Sequence, residues 1–176
     1  MTMKLKKLIT ALFIGLFFSL HAQQEDANKI LEKSLSQAKK ENKNVLLIFH
    51  ASWCGWCKRM EKNLNSDAVK PLIDKNYITT YVSVQERGEN IKKYENPNGQ
   101  DLMNKYQGKE AGLPFWVMLD AKGNVLDNSF DKNKENIGCP ASPEEVTEFK
   151  EKLQKTSSLT PSQLQTVYDN FVQKKS

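Results

Sequence analysis

Two cysteines three residues apart, Cys54 and Cys57, follow a short apolar run, and the stretch Val45–Lys58 reads V-L-L-I-F-H-A-S-W-C-G-W-C-K. That order of strand, sharp turn, C-x-x-C and helix suits thiol–disulfide chemistry for a physical reason. A cysteine at a helix N-terminus faces unpaired backbone N–H groups and the positive end of the helix dipole, and both favour thiolate over thiol. Cys54 is therefore the candidate nucleophile, expected to be the accessible thiol. Residues three apart share a helix face, so Cys57 lies within reach of Cys54 and is the candidate resolving thiol, expected to be shielded. No proline stiffens the Gly55-Trp56 turn, so the dipeptide does not set the potential; the aromatic Trp56 and the absence of a histidine within C-G-W-C, where a cation would stabilise the thiolate, give the expectation of a reducing to intermediate potential. A zinc site would draw on the same two thiolates, but it normally needs a second C-x-x-C or an H-x-x-H pair, and only Cys139, His50 and His21 remain as ligands. No metal and no cofactor is expected.

The elements that must position these thiols are legible as patterns. Val45 to His50 forms a continuous apolar run of the kind a strand buried on both faces requires. Before it, Ala27, Ile30, Leu31, Leu35 and Ala38 recur at helical spacing within Glu25–Glu41. After the cysteines, Met60 and Leu64 continue an inner helix face. Asn65-Ser66-Asp67 is expected to cap a second helix from Ala68 to Lys75, bent by Pro71. Tyr77 to Val84 alternates as a second core strand, and polar Gln85 to Asn98 reads as a loop. A short helix over Asp101–Tyr106, a strand over Phe115–Leu119, a turn at Ala121–Asn124 and an antiparallel edge strand from Val125 follow. After a polar loop from Asp127 to Ala141, Ser142-Pro143-Glu144-Glu145 and Thr160-Pro161-Ser162-Gln163 each announce a capped amphipathic helix. The second of these, about residues 160–175, is expected to pack on the core, with an interaction surface or dimer contact as the alternative.

Trp53-Cys54-Gly55-Trp56-Cys57-Lys58 resembles the active site of the thioredoxin superfamily. Gly112-Leu113-Pro114, followed by Phe115-Trp116-Val117-Met118-Leu119, resembles its cis-proline loop and the strand after it. The likeness spans about Asn44 to Leu153. It implies an α/β fold of thioredoxin type, a central mixed sheet flanked by helices, here with an extra C-terminal helix beyond the usual ending. It also implies a cis Pro114 that leaves the backbone of Leu113 free beside the cysteines, so that an extended substrate peptide pairs with it as an added strand. Trp53 and Trp56 would form the apolar rim of that groove. Where the family usually carries a buried acid, six residues before the first cysteine, this chain has Ile48. Glu61, one helical turn after Cys57, is the candidate substitute for moving the second thiol's proton, against the reading of an ordinary solvent-facing glutamate. His50 is either a cation near the Cys54 thiolate or a buried strand-end histidine. Cys139, on the loop expected to return to the rim, is a candidate auxiliary thiol, with a packed apolar side chain as the alternative.

Residues 1–22 read as a secretory signal peptide: Lys4, Lys6 and Lys7 precede a 13-residue apolar run, Leu8 to Leu20, that ends near Ala22. Without them the formal charge falls from +5 to +2, with 23 basic against 21 acidic residues, and no nucleic-acid surface is supported. Residues 23–176 are then expected to be one thioredoxin-like domain, exported to the periplasm or beyond and monomeric, with no membrane contact after cleavage. The function expected is a thiol–disulfide oxidoreductase acting on disulfide-containing proteins with a thiol–disulfide redox partner. A thioredoxin-like binding module with a structural disulfide is the alternative.

Overall fold

The apolar run forms β1 (Asn44–His50), with Val45 to Phe49 all buried, in a computed structural model that describes residues 24–173. It is an inner strand of a four-stranded mixed sheet ordered β2-β1-β3-β4. β2 (Tyr77–Ser83) runs parallel to β1, with Ile48 opposite Tyr81. β3 (Phe115–Leu119), wholly buried, runs antiparallel on the other side, and β4 (Val125–Asn128) is the exposed antiparallel edge. With apolar side chains on both faces, β1 and β3 need cover above and below, and the helices supply it.

Successive strand residues point to opposite faces, so the core divides into two layers. Val45, Leu47, Phe49, Phe115, Val117 and Leu119 face α1 (Ala27–Glu41), which contributes Ala27, Leu31 and Ala38, and α5 (Gly99–Lys105), which contributes Leu102 and Met103. Leu46, Ile48, Trp116 and Met118 face α2 (Gly55–Leu64), α3 (Lys70–Asn76), α6 (Pro143–Thr156) and α7 (Pro161–Phe171). Burial of each large side chain stabilises the fold by roughly 1.5–3 kcal/mol, so the sheet below the cysteines is rigid.

Both expected capping boxes are present, at Ser142 with Glu145 and at Thr160 with Gln163. The C-terminal helix packs as expected: Leu164, Val167 and Phe171 are buried, and Phe171 meets Phe149, which packs edge-on against Trp116. Lys152, buried on α6, reaches Asp127 at 2.9 Å and the Phe130 carbonyl at 2.9 Å, and so fastens β4 and the following loop to this layer.

Two elements differ from the sequence reading. The second helix begins at Lys70, not Ala68, because Ser66 and Val69 form a tight turn first, with the Val69 amide donating to the Ser66 carbonyl at 3.1 Å. Pro71 then lies in the first turn, where its missing N–H costs nothing, so it starts the helix and does not bend it. The polar stretch after β2 also contains a five-residue helix, α4 (Asn90–Tyr94), which buries no residue and so leaves no apolar period to read. The expected signal peptide lies outside the described residues. Among the described residues no helix is long and apolar enough to cross a membrane.

Candidate active site

Cys54 is the N-cap of α2, in extended conformation, and its Sγ accepts the amide N–H of Cys57 at 3.1 Å. The chain leaves β1 at His50 and turns through Ala51-Ser52-Trp53, so the helix N-terminus and its dipole aim at this sulfur. Cys54 and Cys57 form a disulfide with Cα atoms 5.2 Å apart. The Leu113–Pro114 peptide is cis, and the Leu113 carbonyl oxygen stands 3.5 Å from Cys54 Sγ. The Leu113 side chain packs against Ala51, Cys54 and Cys57. Among the described residues nothing pairs with the Leu113 amide, which leaves an unpaired backbone segment beside the disulfide.

That loop is held by a side chain the sequence did not single out. Asn136 Nδ2 donates to the carbonyls of Gly112 at 2.7 Å and Pro114 at 3.1 Å, and its Oδ1 accepts from the Gly138 amide at 3.1 Å. Gly138 has φ +52°, and a Cβ there would meet the Pro114 carbonyl at 3.5 Å, so a side chain is disfavoured by conformation more than by space. Its own carbonyl accepts the indole N–H of Trp116 at 2.8 Å, which ties the loop to the core.

A family profile described as thioredoxin-like matches residues 26–121. The chain belongs to the thioredoxin-like family. Together with the disulfide-forming pair at the helix start, this supports thiol–disulfide oxidoreductase chemistry in general. Among solved structures, a disulphide isomerase from Xylella fastidiosa Temecula1 is similar at 23% identity, over 90% of this chain and 95% of that chain, with a TM-score of 0.53. A DsbH oxidoreductase matches at 23% identity over 75% of this chain and 84% of that one, with a TM-score of 0.47. The oxidised C-terminal domain of Neisseria meningitidis DsbD matches at 24% over 61% and 84%, with a TM-score of 0.43. At these identities the likeness is one of fold. No curated protein matches the chain.

In this thioredoxin-like protein the two cysteines are equally enclosed, each 5% exposed, where the sequence suggested an open Cys54 and a shielded Cys57. The Leu113 side chain packs against the cluster that holds both cysteines. Trp53 and Trp56 are exposed at 40% and 52%, in place for a rim. Ile48, where the family usually carries an acid, is 1% exposed in the apolar layer. Glu61 lies exposed on α2, with its charge acting on His50 and Tyr81. Burial lowers the His50 pKa from 6.5, against the opposing pull of Glu61 and Glu86, which disfavours the cationic ring beside the disulfide. Cys139 is a free thiol, 5% exposed in the layer that also holds Trp116 and Met60. Burial pushes its pKa up to about 11, with Arg59 opposing and Glu145 adding to the rise; this placement fits the packing reading. Among the described residues no group of three or more His, Cys, Asp or Glu is placed to hold a metal ion.

A second residue missed by sequence reasoning is Glu86, 6% exposed within the supposed polar loop. Its carboxylate accepts from the Ser52 amide at 2.7 Å, the Ser52 hydroxyl at 2.6 Å and the Ser83 hydroxyl at 2.9 Å, and so it locks the turn that delivers Trp53 and Cys54. Burial raises its pKa, but the Ser52 and Ser83 hydrogen bonds and the nearby His50 outweigh that, and the net shift is downward. Beside it, the Gln85 carbonyl accepts the Trp53 indole N–H at 2.8 Å, which fixes the ring. Only the buried environment marks Glu86; its sequence neighbours give no signal.

Proposed function

We propose that this protein is an exported thiol–disulfide oxidoreductase that reduces or isomerises disulfides in protein substrates. The observation that carries the reading is the Cys54–Cys57 disulfide at a helix N-terminus, beside the unpaired backbone of Leu113. In the reduced protein the Cys54 thiolate attacks one sulfur of the substrate disulfide. A mixed disulfide forms, and the other substrate sulfur leaves as a thiolate and takes up a proton. Cys57, once deprotonated, attacks Cys54 Sγ and releases the second substrate thiol; two electrons have then passed to the substrate and the protein holds the disulfide. An external thiol partner returns it to the dithiol by the same exchange run in reverse.

In this reading the substrate lies along Leu113 and Pro114 as an added strand, between Trp53 and Trp56. Glu61, exposed one turn beyond Cys57, takes the Cys57 proton through water, since Ile48 offers none of the acid chemistry of the usual position. Residues 1–22 direct export to the periplasm, or outside the cell, and are then removed; the remaining domain acts as a monomer.

The burial of both sulfurs favours one competing reading, a structural disulfide with no turnover. Reduction of insulin by thiol-supplied protein, with Cys54→Ser as control, separates the two: turnover lost in the variant supports the proposal, and none in the wild type ends it. In the same assay Glu61→Gln is expected to accumulate mixed disulfide on non-reducing gels. The potential measured against glutathione is expected near −180 to about −270 mV, and a value above about −140 mV contradicts the reducing assignment.

A further inference from the structure

We propose that the rim of this site selects disulfides flanked by acidic residues, through two guanidinium groups held over the two active-site tryptophans. The inference rests on the function proposed above and names its substrate class. The chain has 26 basic residues, and only two of them, Arg59 and Arg87, are arginine. Both lie on the tryptophans that flank the cysteines: the Arg87 guanidinium carbon is 3.6 Å from the centre of the Trp53 ring, and that of Arg59 is 5.4 Å from the centre of the Trp56 ring. The other 24 are lysines, and one of them, Lys152, is buried in its contact with Asp127. Arginine differs from lysine in stacking flat on an aromatic face while presenting a planar fork of donors that fits a carboxylate in two bonds.

The Trp53 ring and the Arg59 side chain are each anchored by hydrogen bonds. Trp53 is pinned through its indole N–H to the Gln85 carbonyl, and the Gln85–Gly88 segment that carries Arg87 has φ +56° at Gln85 and +57° at Gly88. Arg59 leans on the end of α7, donating to the Phe171 carbonyl at 3.4 Å and to Gln173 Oε1 at 3.4 Å. Among the described residues neither arginine has a carboxylate within ion-pair distance, although Glu61 and Glu89 lie exposed on the same elements. Two cations held over the tryptophans that adjoin the cysteines in sequence, and without an acidic partner among the described residues, complement an anionic segment. The occupant is therefore an extended peptide with Asp or Glu within a few residues of its cysteine.

The test compares reduction of three disulfide-linked peptides, equal in length and differing only in acidic, neutral or basic flanking residues, by the purified dithiol protein at low salt. Acidic over basic flanks should raise kcat/KM by about three- to tenfold, the range that one or two partly exposed ion pairs supply, and 0.5 M salt should remove most of the difference. Arg87→Gln should cut the acidic-to-basic ratio to the smaller part that Arg59 alone supplies, and Arg87→Lys, which keeps the charge and loses the flat fork, should give a ratio between that and the wild type. Equal rates for all three peptides in the wild type, or an unchanged ratio in Arg87→Gln, overturns the proposal while leaving the oxidoreductase reading intact. A preference for aromatic flanks whatever their charge also overturns it, in favour of stacking on the indoles. Failure to reduce any of the peptides removes both readings.

Discussion

Glu86→Gln tests whether the turn that presents Cys54 is held by a charge. The wild-type carboxylate accepts three hydrogen bonds, two from Ser52 and one from Ser83, at 2.6 to 2.9 Å. Hydrogen bonds to an ionised acceptor contribute about 1.5–3 kcal/mol each, and neutral ones about 0.5–1.5 kcal/mol. The amide keeps one oxygen, so the two contacts at Oε1, from the Ser52 amide and the Ser83 hydroxyl, survive as neutral bonds. At the other position an NH2 group faces the Ser52 hydroxyl, which must turn its proton away, while Asn90 Nδ2 already donates to it at 3.2 Å. Loss of charge assistance at three bonds amounts to about 3 kcal/mol, and the amide recovers part of it by escaping the cost of burying a charge. The net destabilisation expected at pH 7 is about 2 kcal/mol, a fall in melting temperature of about 4–8 °C for a domain of this size.

The pH dependence separates a charge effect from a packing effect. The folded-state pKa of Glu86 lies below its ordinary 4.5, so the group contributes stability that is fully present above that value and is lost as pH falls through the folded pKa. Urea titrations of wild type and Glu86→Gln, with m held common, should therefore show the full gap from neutral pH down to about pH 5 and a closing gap below it. A variant as stable as wild type at pH 7, or a gap unchanged down to about pH 3, would refute the reasoning.

Two further outcomes are expected. Although both sulfurs are enclosed in the disulfide, only Cys54 sits at the N-cap, so iodoacetamide added to the reduced protein at mildly acidic pH should modify Cys54 first by mass spectrometry; equal rates for both thiols down to about pH 5 count against its role as nucleophile. Cys139→Ala should lower the melting temperature, with a cost of about 1–2 kcal/mol for the lost packing, and leave insulin reduction as it was; disappearance of a mixed-disulfide species on non-reducing gels would instead make Cys139 an auxiliary thiol.

What was legible in the sequence was whatever repeats or punctuates. The apolar run of β1, the alternating strand at Tyr77, and the Ser142 and Thr160 capping boxes each carry a local pattern, and each forms where that pattern places it. The helix start at Lys70 was missed because Asn65-Ser66-Asp67 supplies cap-type residues that instead close a turn, with Ser66 Oγ bonded back to the Asn63 carbonyl at 2.9 Å. The thiols and the proline loop were found through spacing and resemblance. Asn136 and Glu86 were not, because each acts on backbone distant in sequence: Asn136 on residues 112 and 114, Glu86 on residue 52. A polar side chain in a polar loop gives no sign of being buried. The two arginines carry no spacing pattern in the sequence; only the structure sets them over Trp53 and Trp56.

The site is thus assembled from two kinds of support with different freedom to vary. Its floor, Cys54, Cys57 and the Leu113–Pro114 loop, rests on the ends of β1 and β3, whose side chains are shared between two packed layers. A change there disturbs the core as well as the chemistry. Its rim is carried by segments outside the sheet: residues 85–98 hold Trp53 and Arg87, and the end of α7 holds Arg59. The extra helix therefore does more than pack its Phe171 on Phe149, because the Phe171 carbonyl, one of the groups a helix leaves without internal partners, accepts the Arg59 side chain of α2. The Gln173 amide in turn donates to the Ala141 carbonyl at 2.8 Å, next to the capping box of α6, so the position of Arg59 is referred to the same layer that buries Cys139. In the function proposed above, selection belongs to the rim and exchange to the cysteines of α2, and Glu86 couples the two, since it lies in the loop after β2 and bonds the turn that presents Cys54.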